Sequence, residues 1–151
     1  MKAYKRILLV EDDPKDIELT ITALNEYNLA NDIMVARDGV EALDYLFRRG
    51  KFIGETEGNP VVILLDLKMP KLDGVQVLRQ IKSDENLQTI PVVILTSSRE
   101  SQDLETCYQL GVNAYVVKPV KFAGFVEAVK GIGVFWALIN EPPPGSIRKS
   151  R

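Results

Sequence analysis

The chain has 151 residues, 46% hydrophobic and 26% charged, which suits one domain with a real core and excludes a disordered polymer. A formal charge of −2 argues against a protein that neutralises a nucleic-acid backbone. The first residues, MKAYKRILLVEDDP, carry only a short apolar run before three acids, neither a signal peptide nor a membrane span, so a cytoplasmic location and no membrane partner are expected.

Ile7, Leu8, Leu9 and Val10 make a first apolar run that ends in Glu11, Asp12 and Asp13. Pro14 suits the first turn of a helix capped by Asp13, with Ile17, Thr20, Ile21, Leu24 and Asn28 marking one face over residues 14–28. A second strand is expected over residues 32–36. Asp38 and Gly39 then open a helix with Val40, Leu43, Leu46 and Phe47 inward and Gly50 as its stop. Residues 51–60 are polar, without period, and read as an extended surface loop.

Residues 61–65, VVILL, run without polar alternation straight into Asp66, as suits a strand buried on both faces of a parallel sheet. Asp66 would sit at that strand's carboxyl end, where open α/β sheets place ligands, although alone it reads equally as an aspartate capping a turn. Met69-Pro70 and Asp73-Gly74 predict an ordered loop around it. The next helix turns Val75, Leu78 and Ile81 inward. A fourth apolar run, residues 91–95, leads to Thr96-Ser97-Ser98. A helix from about Glu100 has Leu104, Cys107 and Tyr108 inward and Gly111 as its stop. A fifth strand over residues 114–117 closes on Lys118-Pro119. The last helix, residues 122–140, carries Phe122, Phe125, Val129, Ile132 and Trp136 on one face. Val134, Phe135, Leu138 and Ile139 extend that apolar set beyond one face, which marks a covered surface, either within the domain or against a partner. Residues 141–145, EPPPG, stop the helix, and the basic tail after them is expected to be mobile.

Five apolar runs alternating with helical patterns predict an α/β fold: a doubly wound, flavodoxin-like (βα)5 unit with a five-stranded parallel sheet in the order 2-1-3-4-5. Residues 1–140 would form this domain and 141–151 its proline-rich stop and tail, with no output domain. The strand ends then bring together Glu11 and Asp12, Asp66, Thr96 and Lys118. Three carboxylates in one cleft repel one another unless a cation intervenes, and Mg2+ suits a few carboxylates plus phosphate oxygens. With that charge balanced, a carboxylate can attack phosphorus while Lys118 and the Thr96 hydroxyl hold phosphoryl oxygens. The chain has no histidine, which removes histidine metal sites and histidine-based triads, and Cys107 reads as a small buried apolar residue.

ILLVEDDP, VVILLDLKMPKLDG, VVILTSS and AYVVKP, in this order, resemble the receiver domain of two-component response regulators over about residues 5–137. The resemblance implies that Asp66 is the phosphoacceptor, that Asp12 binds Mg2+ directly and Glu11 mainly through water, and that the Lys68 main-chain carbonyl completes the protein ligands. Mn2+ or Ca2+ would substitute. It further implies that Thr96 and Tyr115 form the switch and that the Lys118-Pro119 peptide is cis. EALDYLFRRGKF, the loop after it and the ending GIGVFW are similar to stand-alone regulators that partner phytochrome histidine kinases. That similarity implies output through protein contacts, or relay of the phosphoryl group to a histidine elsewhere. It also implies a homodimer through helix 4, strand 5 and helix 5, with Phe135, Trp136, Leu138 and Ile139 at the interface. Lys68, where many such domains carry an uncharged residue, is expected to screen the acyl phosphate and slow its loss. The same lysine stands where aspartyl-nucleophile phosphohydrolases need an acid, and EDDP offers acids where a flavin carrier needs a phosphate loop.

Overall fold

Runs with no polar alternation supply apolar side chains to both faces of a strand, because successive residues point to opposite sides. The structure, a computed structural model, describes residues 3–26, 32–55, 58–119 and 121–150; the side chains of residues 3, 4, 137, 138 and 148–150 lie outside that description. Strands β1 (Ala3–Val10), β2 (Asp32–Ala36), β3 (Val62–Leu65), β4 (Val92–Thr96) and β5 (Ala114–Val117) lie parallel in the order β2-β1-β3-β4-β5, as the sequence predicts. Helices α1 (Pro14–Glu26), α2 (Gly39–Phe47), α3 (Gly74–Ser83), α4 (Ser101–Gln109) and α5 (Phe122–Gly133) cover the sheet. Leu8, Ile63, Leu65 and Ile94 face a core shared with α2, α3 and Cys107, while Ile7, Leu9, Leu64 and Val93 face one shared with α1 and α5.

Several boundaries differ from expectation. Helix α2 ends at Phe47, because Arg48 adopts a left-handed φ of 58° and its N–H turns back to the carbonyls of Asp44 and Tyr45. Gly50 instead opens a 3-10 turn, Gly50–Phe52, that buries Phe52 edge-on against Tyr45 with ring centroids 5.2 Å apart. Val40, Leu104 and Tyr108, expected inward, are exposed; on α4 only Cys107 is buried. Helix α5 gives way after Gly133 to a wider π-helical stretch, Val134–Ile139, following two glycines that favour the helix weakly. Asn28 lies outside the described residues.

The tail is not loose. Ile147 is buried, its N–H donates to the Asn59 carbonyl at 2.6 Å, and strand β6 (Arg148–Ser150) pairs antiparallel with Ala3, Tyr4 and Lys5 of β1. One apolar side chain among polar neighbours thus docks the segment, and the unpaired start of β1 supplies its hydrogen bonds. The Lys118-Pro119 peptide, expected to be cis, is trans, the isomer that X-Pro bonds prefer by about 0.5–1 kcal/mol. Pro119 packs on the first turn of α5, where a Cβ placed on Gly124 would stand 3.0 Å from the proline Cβ.

Asp73 caps α3 in a reciprocal arrangement with Gln76. Gly74 beside it has no room for a side chain: a Cβ there would run into the Asp66 carbonyl oxygen and lie 2.7 Å from Leu67 Cα. Both obstacles are backbone, so relief requires the loop itself to move. Gly74→Ala is therefore expected to cost about 1–3 kcal/mol despite alanine's better helix propensity, read as a lowered thermal midpoint.

Candidate functional site

The ladders set the site. Val10 pairs with Leu65 and Thr96 with Val117, the Asp66 N–H donates to the Val10 carbonyl at 3.1 Å, and the Lys118 N–H donates to the Thr96 carbonyl at 2.7 Å. Each functional residue therefore follows or ends a strand whose register is fixed by its neighbour. Glu11, Asp12 and Asp66 each offer a carboxylate oxygen, and these oxygens lie within 4.8 Å of one another. Glu11 and Asp66 are buried, and Asp12 is the most exposed of the three.

Lys118 is the cation of the cluster. Its ammonium donates to Glu11 Oε1 at 2.6 Å and to Asp16 Oδ2 at 2.7 Å, and reaches Asp66 Oδ2 at 3.5 Å. Glu11 Oε2 also accepts from the Asp13 N–H, and Asp66 Oδ1 from the Leu67 N–H. Burial is the main reason the Glu11 carboxyl is pushed up to about 7; the Asp66 charge adds to this, and the bond from Lys118 opposes it. Burial alone would lower the Lys118 ammonium, yet its bonds to Asp16 and Glu11 and the charge of Asp66 hold it above its ordinary value. The pocket thus gathers more carboxylates than its one lysine can neutralise, and burial makes Glu11 the acid that gives up its charge most readily.

The hydroxyls occupy the next strand end. Thr96 is fully buried, and its hydroxyl oxygen accepts from the Ser98 N–H at 3.3 Å. The half-buried Tyr115 donates its hydroxyl to the Ser98 carbonyl at 3.0 Å, so both residues meet the same short turn. Lys68 points elsewhere: its ammonium lies 3.3 Å from Asp103 Oδ2 on α4, and the Ser98 hydroxyl donates to that same carboxylate at 2.6 Å. Cys107 is buried and its thiol is pushed up to about 11, chiefly by burial, which suits an inert apolar role.

The structure brings Glu11, Asp12, Asp66 and Lys118 together, with Thr96 at the adjacent strand end. Phe135 and Ile139 are exposed, Trp136 is half-buried edge-on to Phe135, and the Leu138 side chain lies outside the described residues. Asp16 went unnoticed in the sequence. Its signal was an acid one helical turn beyond Asp12, in the first turn of α1, where acids also serve the helix dipole.

The family model for the response regulator receiver domain matches residues 7–130. The chain belongs to the response regulator receiver family. The response regulator Rcp1 of Synechocystis sp. (strain ATCC 27184 / PCC 6803 / Kazusa) is 39% identical over 132 residues, 87% of this chain and 88% of that protein. The crystal structure of the phosphorylated cyanobacterial phytochrome response regulator RcpA superposes with a TM-score of 0.87 at 40% identity, covering 93% of this chain and 99% of that one. The bacteriophytochrome response regulator RtBRR is 59% identical, with a TM-score of 0.74, over 95% of this chain and 86% of that one. A structure of the Mn2+-bound form of Rcp1 has a TM-score of 0.86 at 37% identity, covering 92% of this chain and 99% of that one.

The receiver's oxygen donors fit a hard divalent ion: three carboxylates on one rim, one of them pushed up to about 7 chiefly by its burial. Among the described residues no helix is long and apolar enough to cross a membrane.

Proposed function

We propose that this receiver accepts a phosphoryl group on Asp66 from a phosphohistidine of a partner kinase, of the phytochrome type suggested by its similarity to the phytochrome response regulators RcpA and RtBRR. The observation that carries this reading is the convergence of Glu11, Asp12 and Asp66 with the buried Lys118 ammonium at adjacent strand ends.

A carboxylate oxygen of Asp66 attacks phosphorus, the O–P bond forms, and the N–P bond to the donor imidazole breaks. Its electron pair returns to the imidazole, which leaves as neutral histidine once the nitrogen is protonated. Lys118 would hold one phosphoryl oxygen, and the Thr96 hydroxyl would donate to another. Glu11, Asp12, Asp66 and the Lys68 carbonyl would hold Mg2+, which when bound offsets the negative charge that acids and phosphoryl group bring together. Drawing Thr96 toward the phosphoryl group takes its hydroxyl from the Ser98 N–H, and the turn it leaves is the one Tyr115 holds by the Ser98 carbonyl. Phosphorylation would in this way reach the face of α4, β5 and α5; Leu104 and Tyr108 are exposed on α4, and Phe135 and Ile139 are exposed in the stretch that follows α5. That face is the proposed homodimer or partner surface.

Incubation with Mg2+ and a small phosphodonor such as acetyl phosphate should add one phosphoryl group by intact mass, removable by hydroxylamine, as acyl phosphates are. No gain in Mg2+, or an equal gain in excess chelator, overturns the reading.

A further inference from the structure

We infer that Asp16 is a positioning residue of this site, acting through Lys118 to set how strongly that ammonium serves a phosphoryl group on Asp66; the inference rests on Asp66 being the phosphoacceptor. The distances carry it. Lys118 Nζ makes two short, charge-assisted bonds, 2.6 Å to Glu11 and 2.7 Å to Asp16, while its 3.5 Å approach to Asp66 is at the edge of hydrogen bonding. In the resting protein the lysine is thus held chiefly by carboxylates other than the one that reacts.

Asp16 stands apart from the metal-holding acids. The clustered oxygens belong to Glu11, Asp12 and Asp66, and the partner of the Asp16 carboxylate among the described residues is Lys118. Its backbone is held on both sides: the Asp16 N–H donates to Asp13 Oδ1 at 3.4 Å, and the Thr20 hydroxyl donates to the Asp16 carbonyl at 2.7 Å. A buried lysine, its side chain 10% exposed, is therefore tied to a rigid first turn of α1 by a carboxylate that is itself only 23% exposed. An incoming phosphoryl group competes with Asp16 for the ammonium, and the charge of Asp16 opposes any shift of Lys118 toward it.

Asp16→Asn removes that charge yet keeps an amide oxygen that can accept from Lys118, so the lysine stays in place while its competition falls. At saturating Mg2+, Asp16→Asn should bind beryllofluoride, a stable mimic of a carboxylate-bound phosphoryl group, roughly fivefold more tightly than wild type, the scale of one partly exposed ion pair. Asp16→Ala should also bind it more tightly, while Asp16→Glu, which keeps the charge, should stay near the wild-type affinity. A merely structural Asp16 predicts instead that asparagine behaves as wild type and alanine is weaker. Equal or weaker binding by Asp16→Asn overturns the inference. Wild type failing to bind beryllofluoride in Mg2+ would overturn the phosphoacceptor reading itself, a separate and recognisable failure.

Discussion

Lys118→Met will abolish measurable phosphoryl uptake and, in metal-free buffer at pH 8, lower stability by about 2–3 kcal/mol, less than the 3–5 kcal/mol typical of breaking a buried pair. The loss of uptake follows from geometry. Among the described residues Lys118 is the ammonium that reaches both Asp66 and Glu11, and methionine fills similar volume without a donor. Removing one such preorganised donor costs on the order of a hundredfold or more in rate, and here it also leaves the incoming phosphoryl group facing uncompensated acids.

The stability loss is capped by titration. With Lys118 gone, Glu11, already pushed up to about 7, takes a proton more readily still, so the pocket sheds charge rather than keeping a bare buried carboxylate. The deficit should therefore shrink toward pH 6 and shrink again when Mg2+ is added at pH 8. Thermal melts at both pH values, with and without Mg2+, check this. A deficit independent of pH and metal would show that Lys118 acts by packing alone.

The parts legible in the sequence were those decided by local chemistry. Uninterrupted apolar runs such as residues 61–65, short and bounded by turn residues, suit double-sided strands, and once their order is set, the residue after each run falls on the site rim. What escaped depends on contacts far apart in the chain. Asp16 meets Lys118 across 102 positions, and nothing local distinguishes it from an acid that favours a helix start. The surface ion pair that Lys68 makes with Asp103 on α4 was likewise invisible in the sequence. The tail looked mobile because its strand partner is the far N-terminus of β1, and Arg48 ended α2 where a later glycine was the conventional stop. Leu104 and Tyr108 had the spacing of a buried face; the fold leaves them on the surface proposed for a partner.

Asp66→Asn is expected to take up no phosphoryl group at all and yet to be the more stable protein without metal, by about 1 kcal/mol at pH 8. The amide is not a nucleophile, so the first result is absolute. The second follows from crowding: Asp66 is buried beside Glu11, and its charge is one reason the Glu11 carboxyl is pushed up. Asparagine still accepts from the Leu67 N–H and gives up only the longest of the three Lys118 contacts. The sign of the pH dependence follows from proton counting. A folded-state value of about 7 against an ordinary glutamate value of 4.5 means that folded Glu11 binds more protons than unfolded Glu11 between those limits. This group's contribution is therefore fully present below about 4.5 and is lost as pH rises through about 7. In Asp66→Asn the Glu11 value moves back down, the slope between pH 5 and 8 flattens, and the stabilisation gained from Mg2+ shrinks because one of three carboxylates is gone. Denaturant titrations of both proteins at pH 6 and 8, with and without Mg2+, measure all three effects. If the variant is less stable than wild type in metal-free buffer at pH 8, the acids are not the strained element of this fold, and the cost of gathering them has been met elsewhere in the sheet.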